Sequence, residues 1–115
     1  MSKQLAQHPH KLFFLLSDPT RLRILCLLQR QSLCVTDLME IIGALQPAIS
    51  NHLRKLLKYG LVHRRPNGHR WIVYSLAPAG DSVTAAILNA VVHARHTSRQ
   101  LARDAAKLKK APRRP

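Results

Sequence analysis

Apolar and polar residues change period along the chain, dividing it into helices, a hairpin and a closing helix. Residues 1–8 are polar and read as a frayed end. Pro9 opens a helix through Ser17, with Leu12, Phe13, Leu15 and Leu16 apolar. Asp18-Pro19-Thr20 starts the next: a side-chain acceptor for the N-cap, then a proline whose missing N–H costs nothing at the first helical position. That helix runs to about Arg30. Leu22, Ile24, Leu25, Cys26, Leu27 and Leu28 make it apolar nearly all round, as expected of the central, most buried helix. Residues 31–33 connect it to a short helix that begins at Val35 or Thr36 and ends near Gly43. Leu38, Met39, Ile41 and Ile42 of that helix face inward.

Ala44-Leu45 turns the chain into residues 46–60. Here Pro47 suits the first turn, and Gly60 suits a left-handed stop. Ile49, Leu53, Leu56 and Leu57 fall at i, i+4, i+7 and i+8, one apolar stripe. The opposite face carries Gln46, Ser50, Asn51, Arg54, Lys55 and Lys58, and the segment contains no acid. Two helices joined by so short a turn form a helix-turn-helix whose second member is basic. Such a face fits a DNA major groove, where amides and guanidinium read base edges and lysines neutralise phosphates. The plainer alternative is a solvated basic face.

After Gly60 the period becomes two. Residues 61–65 and 70–76 are rich in β-branched and aromatic side chains, and the Pro66-Asn67-Gly68-His69 between them carries a strong hairpin signal. The hairpin is a wing beside the basic helix. Arg64, Arg65, His69 and Arg70 at its tip suit phosphates or a flanking minor groove; otherwise it is a solvated basic hairpin. From Pro78 a long helix runs to about Lys109. Thr84, Ile87, Val91, Ala94, Ser98, Leu101, Ala105 and Leu108 alternate spacings of three and four, a two-stranded seam. The seam pairs two copies of the chain, or it docks on its own domain. The expected fold is mainly α with a small β-hairpin, a winged helix-turn-helix of order α-α-α-α-β-β-α, forming a homodimer through its terminal helices. It is one domain over residues 1–110, with the dimerisation helix at about 78–109 and a basic, disordered tail over 110–115.

Charge narrows the partner. Nineteen Lys and Arg stand against five Asp and Glu, a formal net charge of +14, which favours a polyanion: nucleic acid or an anionic membrane surface. No run approaches the roughly 18 apolar residues that span a bilayer. The closing helix also lacks the tryptophan or phenylalanine that anchors a peripheral membrane helix, so no membrane partner is expected. Two cysteines without a secretory signal argue against a disulfide framework and for the cytoplasm. Aromatic residues make up only 4% of the chain, too few for single-strand recognition by base stacking. The scattered acids, with no phosphate loop and no nucleophile elbow, offer no catalytic set, and the chain is not read as an enzyme.

Several stretches, in order, resemble the arsenic-repressor (ArsR/SmtB) family. They are Leu16-Ser17-Asp18-Pro19-Thr20-Arg21-Leu22-Arg23-Ile24-Leu25, Leu33-Cys34-Val35-Thr36-Asp37-Leu38, Gln46-Pro47-Ala48-Ile49-Ser50-Asn51-His52-Leu53, Gly60-Leu61-Val62 and Trp71-Ile72-Val73-Tyr74-Ser75-Leu76. The resemblance spans residues 12–76. It implies a homodimeric repressor that sits on a palindromic operator in double-stranded DNA and leaves when an inducer binds. Two recognition helices about 34–36 Å apart then require an inverted repeat.

The same resemblance implies sensing residues, and the chain departs from each pattern. Arsenic-responsive relatives carry Leu-Cys-Val-Cys-Asp-Leu; here Cys34 keeps the first thiolate, while Thr36 and Met39 stand where further ligands belong. A soft trivalent centre wants about three thiolates, so Cys34 is a remnant or half of another site. Zinc-type relatives join Asp-x-His to a later His-x-x-His. His93 and His96 supply the second half for a transition metal, but Val83 follows Asp81 where a histidine is needed. Thiol-responsive relatives pair a cysteine in an Ile-Leu-Cys context with one in the last helix. Cys26 matches, the last helix has none, and Cys34 is the one partner left; the alternative is that Cys26 is a small core residue. The inducer is therefore left as a metal, arsenite or a thiol oxidant. A redox-released or constitutive repressor without metal, and an architectural protein that coats DNA, are the competing functions. Against a mere coat stand the base-reading groups of Gln46, Ser50, Asn51 and Arg54, with Lys55, Lys58, Arg65, His69 and Arg70 on the backbone. His52 is read as a packing or hydrogen-bonding residue of the helix.

Overall fold

Asp18 accepts the backbone N–H of Arg21 at 2.9 Å and starts helix α3 (Pro19–Leu28) with Pro19 in its first turn. Ile24, Leu25, Leu27 and Leu28 are buried, so this is the central helix that its all-round apolar pattern predicts. The structure, a computed structural model, describes residues 3–68 and 71–114, with side chains from Leu5 onward. Before α3 lie α1 (Lys3–Gln7) and α2 (Pro9–Leu16); after it come β1 (Leu33–Cys34), α4 (Val35–Ile42), α5 (Gln46–Lys58), β2 (Val62–Asn67), β3 (Trp71–Leu76), α6 (Ser82–Val92), a 3-10 turn (His93–His96) and α7 (Arg99–Leu108). The helices enclose one core, into which α5 sends Ile49, Leu53 and Leu56 and α4 sends Leu38 and Ile41.

The wing forms as expected. Strands β2 and β3 pair antiparallel from Val62 opposite Leu76 to Asn67 opposite Trp71. Gly68, at φ +72°, takes the left-handed conformation that the Asn-Gly signal requires. A third strand joins them: β1 pairs with β3, Leu33 opposite Tyr74 and Cys34 opposite Val73, giving the order β1-β3-β2. Two residues carry no period, so residues 31–33 read only as a connector. The frayed end is likewise corrected, because α1 places Leu5 in the core at 1% exposure.

The single helix over 78–109 is not found. Asp81 caps α6, accepting from the Thr84 backbone N–H at 2.9 Å and the Thr84 hydroxyl at 2.8 Å. Ser98 then breaks the path. Its backbone is extended, and its Oγ accepts from the Leu101 N–H at 3.3 Å, a second N-cap inside the expected helix. Beyond it α7 folds back on α3 and α4, burying Leu101 and Leu108 in its own domain. Buried Asp104 receives both prongs of Arg23, at 2.8 and 2.9 Å, and a bond from Gln100. The end of the chain, expected to be disordered, is held. Gln31 Nε2 donates to the Pro112 carbonyl at 3.4 Å, and Arg114 donates to both oxygens of Asp37 at 3.0 and 2.9 Å while lying over the Trp71 ring.

Candidate nucleic-acid interface

Helix α5 is the centre of the candidate interface. Its buried stripe turns Gln46, Asn51, Arg54, Lys55 and Lys58 outward, with Ser50 half-buried at the edge. Two bonds along the surface order these groups before any partner arrives. Gln46 Nε2 donates to Ser50 Oγ at 2.8 Å, and Arg54 Nη1 donates to Asn51 Oδ1 at 3.2 Å. Each still has unused donors or acceptors to offer a base edge. Lys58 lies over the Tyr59 ring. Arg64 and Arg65 stand exposed on β2; His69 and Arg70, also expected at the wing tip, lie outside the described residues.

A second layer fixes the helix in place, and sequence reasoning saw only part of it. Buried Arg21 donates from Nε to the Leu15 carbonyl at 2.9 Å and from Nη2 to the Phe14 carbonyl at 3.3 Å, closing the end of α2. Its Nη1 is 3.5 Å from His52 Nδ1, and His52 Nε2 is 3.7 Å from Asp18. Desolvation works to raise the Asp18 carboxyl, but the Arg21 N–H and the facing His52 and Arg21 outweigh it and hold it below the ordinary value. His52 thus ties α5 to the start of α3. A signal existed for its partner, since Arg21 follows the Asp-Pro-Thr cap on the same turn; the contact across 31 residues has none.

The family model described as bacterial regulatory protein, arsR family, matches residues 18–64, from the cap of α3 through α5 into β2. The arsenical resistance operon repressor of Escherichia coli (strain K12) is 40% identical over 82 residues, 70% of this chain and 69% of that protein. The chain belongs to the arsR family. The arsenic resistance transcriptional regulator ArsR2 of Pseudomonas putida is 36% identical over 108 residues, 93% of this chain and 91% of that protein, so the likeness reaches past the wing. Among solved structures, the transcriptional repressor BigR from Xylella fastidiosa superposes with a TM-score of 0.69 at 29% identity, covering 84% of this chain and 92% of that one.

In this arsR-family chain the sensing candidates stand apart. His93 and His96 are exposed, their rings stacked with centroids 6.1 Å apart. Among the described residues no three His, Cys, Asp or Glu side chains gather where they could hold a metal ion. Asp81 and His93 cap opposite ends of α6, so only a second chain could bring the two halves together. Both cysteines are free and line cavities that share no residue. Cys26 lies with Val92, Leu101 and Asp104, Cys34 with Thr36 and Trp71. Burial, and then the Asp104 charge, push the Cys26 thiol up to about 11, against the pull of Arg95. Burial also raises Cys34, whose Sγ donates to Asp37 at 3.2 Å. Asp37 itself is held low: burial opposes this, but Arg114 and the Cys34 N–H and thiol prevail.

Proposed function

We propose that the chain is a DNA-binding transcriptional repressor of the cytoplasm, acting as a homodimer on an inverted-repeat operator and released by an inducer. One observation carries the reading: α5 presents Gln46, Ser50, Asn51 and Arg54 on a face without acids, in a chain of the arsR family. Lysines alone would suffice to coat DNA; these amides and this guanidinium suit base edges. Pairing through α2 and α6 is supported by the side chains left uncovered there. Phe13 and Phe14 are each 57% exposed and Val83 is 53% exposed, on two helices that pack together. With Leu101 and Leu108 of the expected seam committed inside the domain, the pairing face is this shorter one. Among the described residues no helix is long and apolar enough to cross a membrane.

The inducer follows from what each candidate site can bind. A lone thiolate at Cys34 is a poor arsenite site, and two protonated thiols in separate cavities make a poor redox pair. His93 and His96 make half of a transition-metal site, to which an identical partner chain would add Asp81 but no histidine, because Val83 stands in that place. The test is fluorescence anisotropy of reduced protein on DNA upstream of its own gene, at fixed salt, with zinc, arsenite and an oxidising persulfide titrated in parallel. Tight operator binding released by zinc is the expected result. Release by arsenite or persulfide alone moves the sensor to the cysteines. Affinity no better than for random DNA overturns the repressor reading in favour of an architectural one.

A further inference from the structure

Four cations converge on a groove whose walls include no residue of α5 or the wing. Arg30 just past α3, Arg95 in the 3-10 turn, Lys109 at the end of α7 and Arg113 in the tail line a cavity of about 360 Å³. A second cavity of about 270 Å³ shares Arg30, Arg95 and Lys109. Neither wall includes an acid. Among the described residues none of the four cations makes a salt bridge or a side-chain hydrogen bond. Of the five acids, Asp18 and Asp81 cap helices, Asp37 holds Arg114, and Asp104, which lines an adjoining cavity with Arg30 and Arg95, is taken up by both prongs of Arg23; Glu40, on α4, lines neither groove cavity. The carbonyl ends of α3 and α7 each contribute about half a negative charge, well short of four positive ones. The groove is also built rather than frayed. Pro112 is tied to Gln31 on one side of Arg113, and Arg114 is tied to Asp37 on the other.

Guanidinium forks bind phosphate oxygens two at a time, and four cations without an acid in the groove wall are balanced by a di- or triphosphate more fully than by the one to two negative charges of a single phosphate. The cavity volume falls within the range of small-ligand sites, about 300–1,000 Å³. We propose that this groove binds a free oligophosphate, a di- or triphosphate group alone or on a small molecule. Its concave wall and its separation from α5 suit a compact anion better than a duplex backbone.

The test is isothermal titration calorimetry of the full chain with inorganic tripolyphosphate, without DNA, at an ionic strength held constant with chloride. One saturable site per chain is expected. Arg30→Gln with Arg95→Gln weakens it about tenfold or more, since each charged hydrogen-bond pair lost is worth that much. The charge-matched control Arg99→Gln with Arg103→Gln, on the same helical region but outside the groove wall, changes it less than about twofold. Arg113→Gln lies outside every helix, so it keeps the test open should the double variant fail to fold; it too weakens binding. Absence of a saturable site, or equal weakening by the control, reduces the effect to diffuse attraction and overturns the proposal. In a separate anisotropy titration on random duplex, a loss of affinity in the groove variants beyond that of the Arg99/Arg103 control makes the groove a nucleic-acid contact and overturns it as well. Because no operator is present, neither result touches the repressor reading.

Discussion

Cys26 shows how neighbours a few ångströms away decide what a residue can do. With its thiol pushed up to about 11, only about one molecule in ten thousand carries a thiolate at pH 7. Iodoacetamide labelling at Cys26, followed by mass spectrometry, should therefore quicken about tenfold per pH unit between 7 and 9. Asp104→Asn removes a charge that holds the thiol protonated, and should shift the rise to lower pH. A flat profile would mean a thiol already ionised. On α5, Arg54→Ala should cost about 1–3 kcal/mol and relax base preference at one position of the operator; equal weakening on every sequence would make Arg54 a phosphate contact. The outward set of α5 was legible because a 3.6-residue period sorts faces without knowledge of the partner. Arg21 was not legible as an anchor, because carbonyls at the end of α2 and a histidine on α5 reach it through the fold. The same holds for the separation of Cys26 from Cys34, which only the packing of α3 against α7 and of β1 against β3 decides.

Between elements, local signals succeeded where they were punctuated. Asp18-Pro19, Gly43 and Asn67-Gly68 each mark a boundary with a residue whose chemistry suits that backbone, and α3, α4 and the wing came out where expected. The closing helix failed for a related reason. Its apolar spacing describes a stripe but not what the stripe touches, and Ser98 inside it was counted as a small seam residue although serine is also an N-cap. Ser98→Ala should cost about 1 kcal/mol in urea denaturation if the cap is needed to start α7. A gain in helical circular dichroism with no loss of stability would instead show that α6 and α7 prefer to run together. Short β1 lay below any period, and α1 was hidden because one buried leucine, Leu5, does not make a stripe.

Across the whole molecule, charge and pH act together. If each protomer sets Lys55, Lys58 and Arg65 on phosphates, log affinity for the operator should fall against log salt with a slope of about −5. Lys55→Gln should make that slope shallower by about two for a dimer; an unchanged slope would remove Lys55 from the backbone. The tail adds a pH dependence to folding. Asp37 is held below its ordinary value, so the stability it contributes is present above the unfolded pKa of about 3.9 and is lost as pH falls through the lower folded one. Urea midpoints measured from pH 5 down to 2.5 should therefore decline less steeply for Asp37→Asn than for the parent. A remaining decline comes from Asp18 and Asp81, which are also held low.

Trp71 is the chain's only tryptophan, and Arg114 lies 4.8 Å above its ring centre. The indole sits at the root of the wing and beneath the tail at once, so any event that lifts the tail exchanges a guanidinium for water over the chromophore. The protein thereby carries an unlabelled optical gauge of that contact. Its emission can be followed in a stopped-flow cell without a dye, and it separates motion at the wing from events elsewhere, because no second indole contributes to the signal.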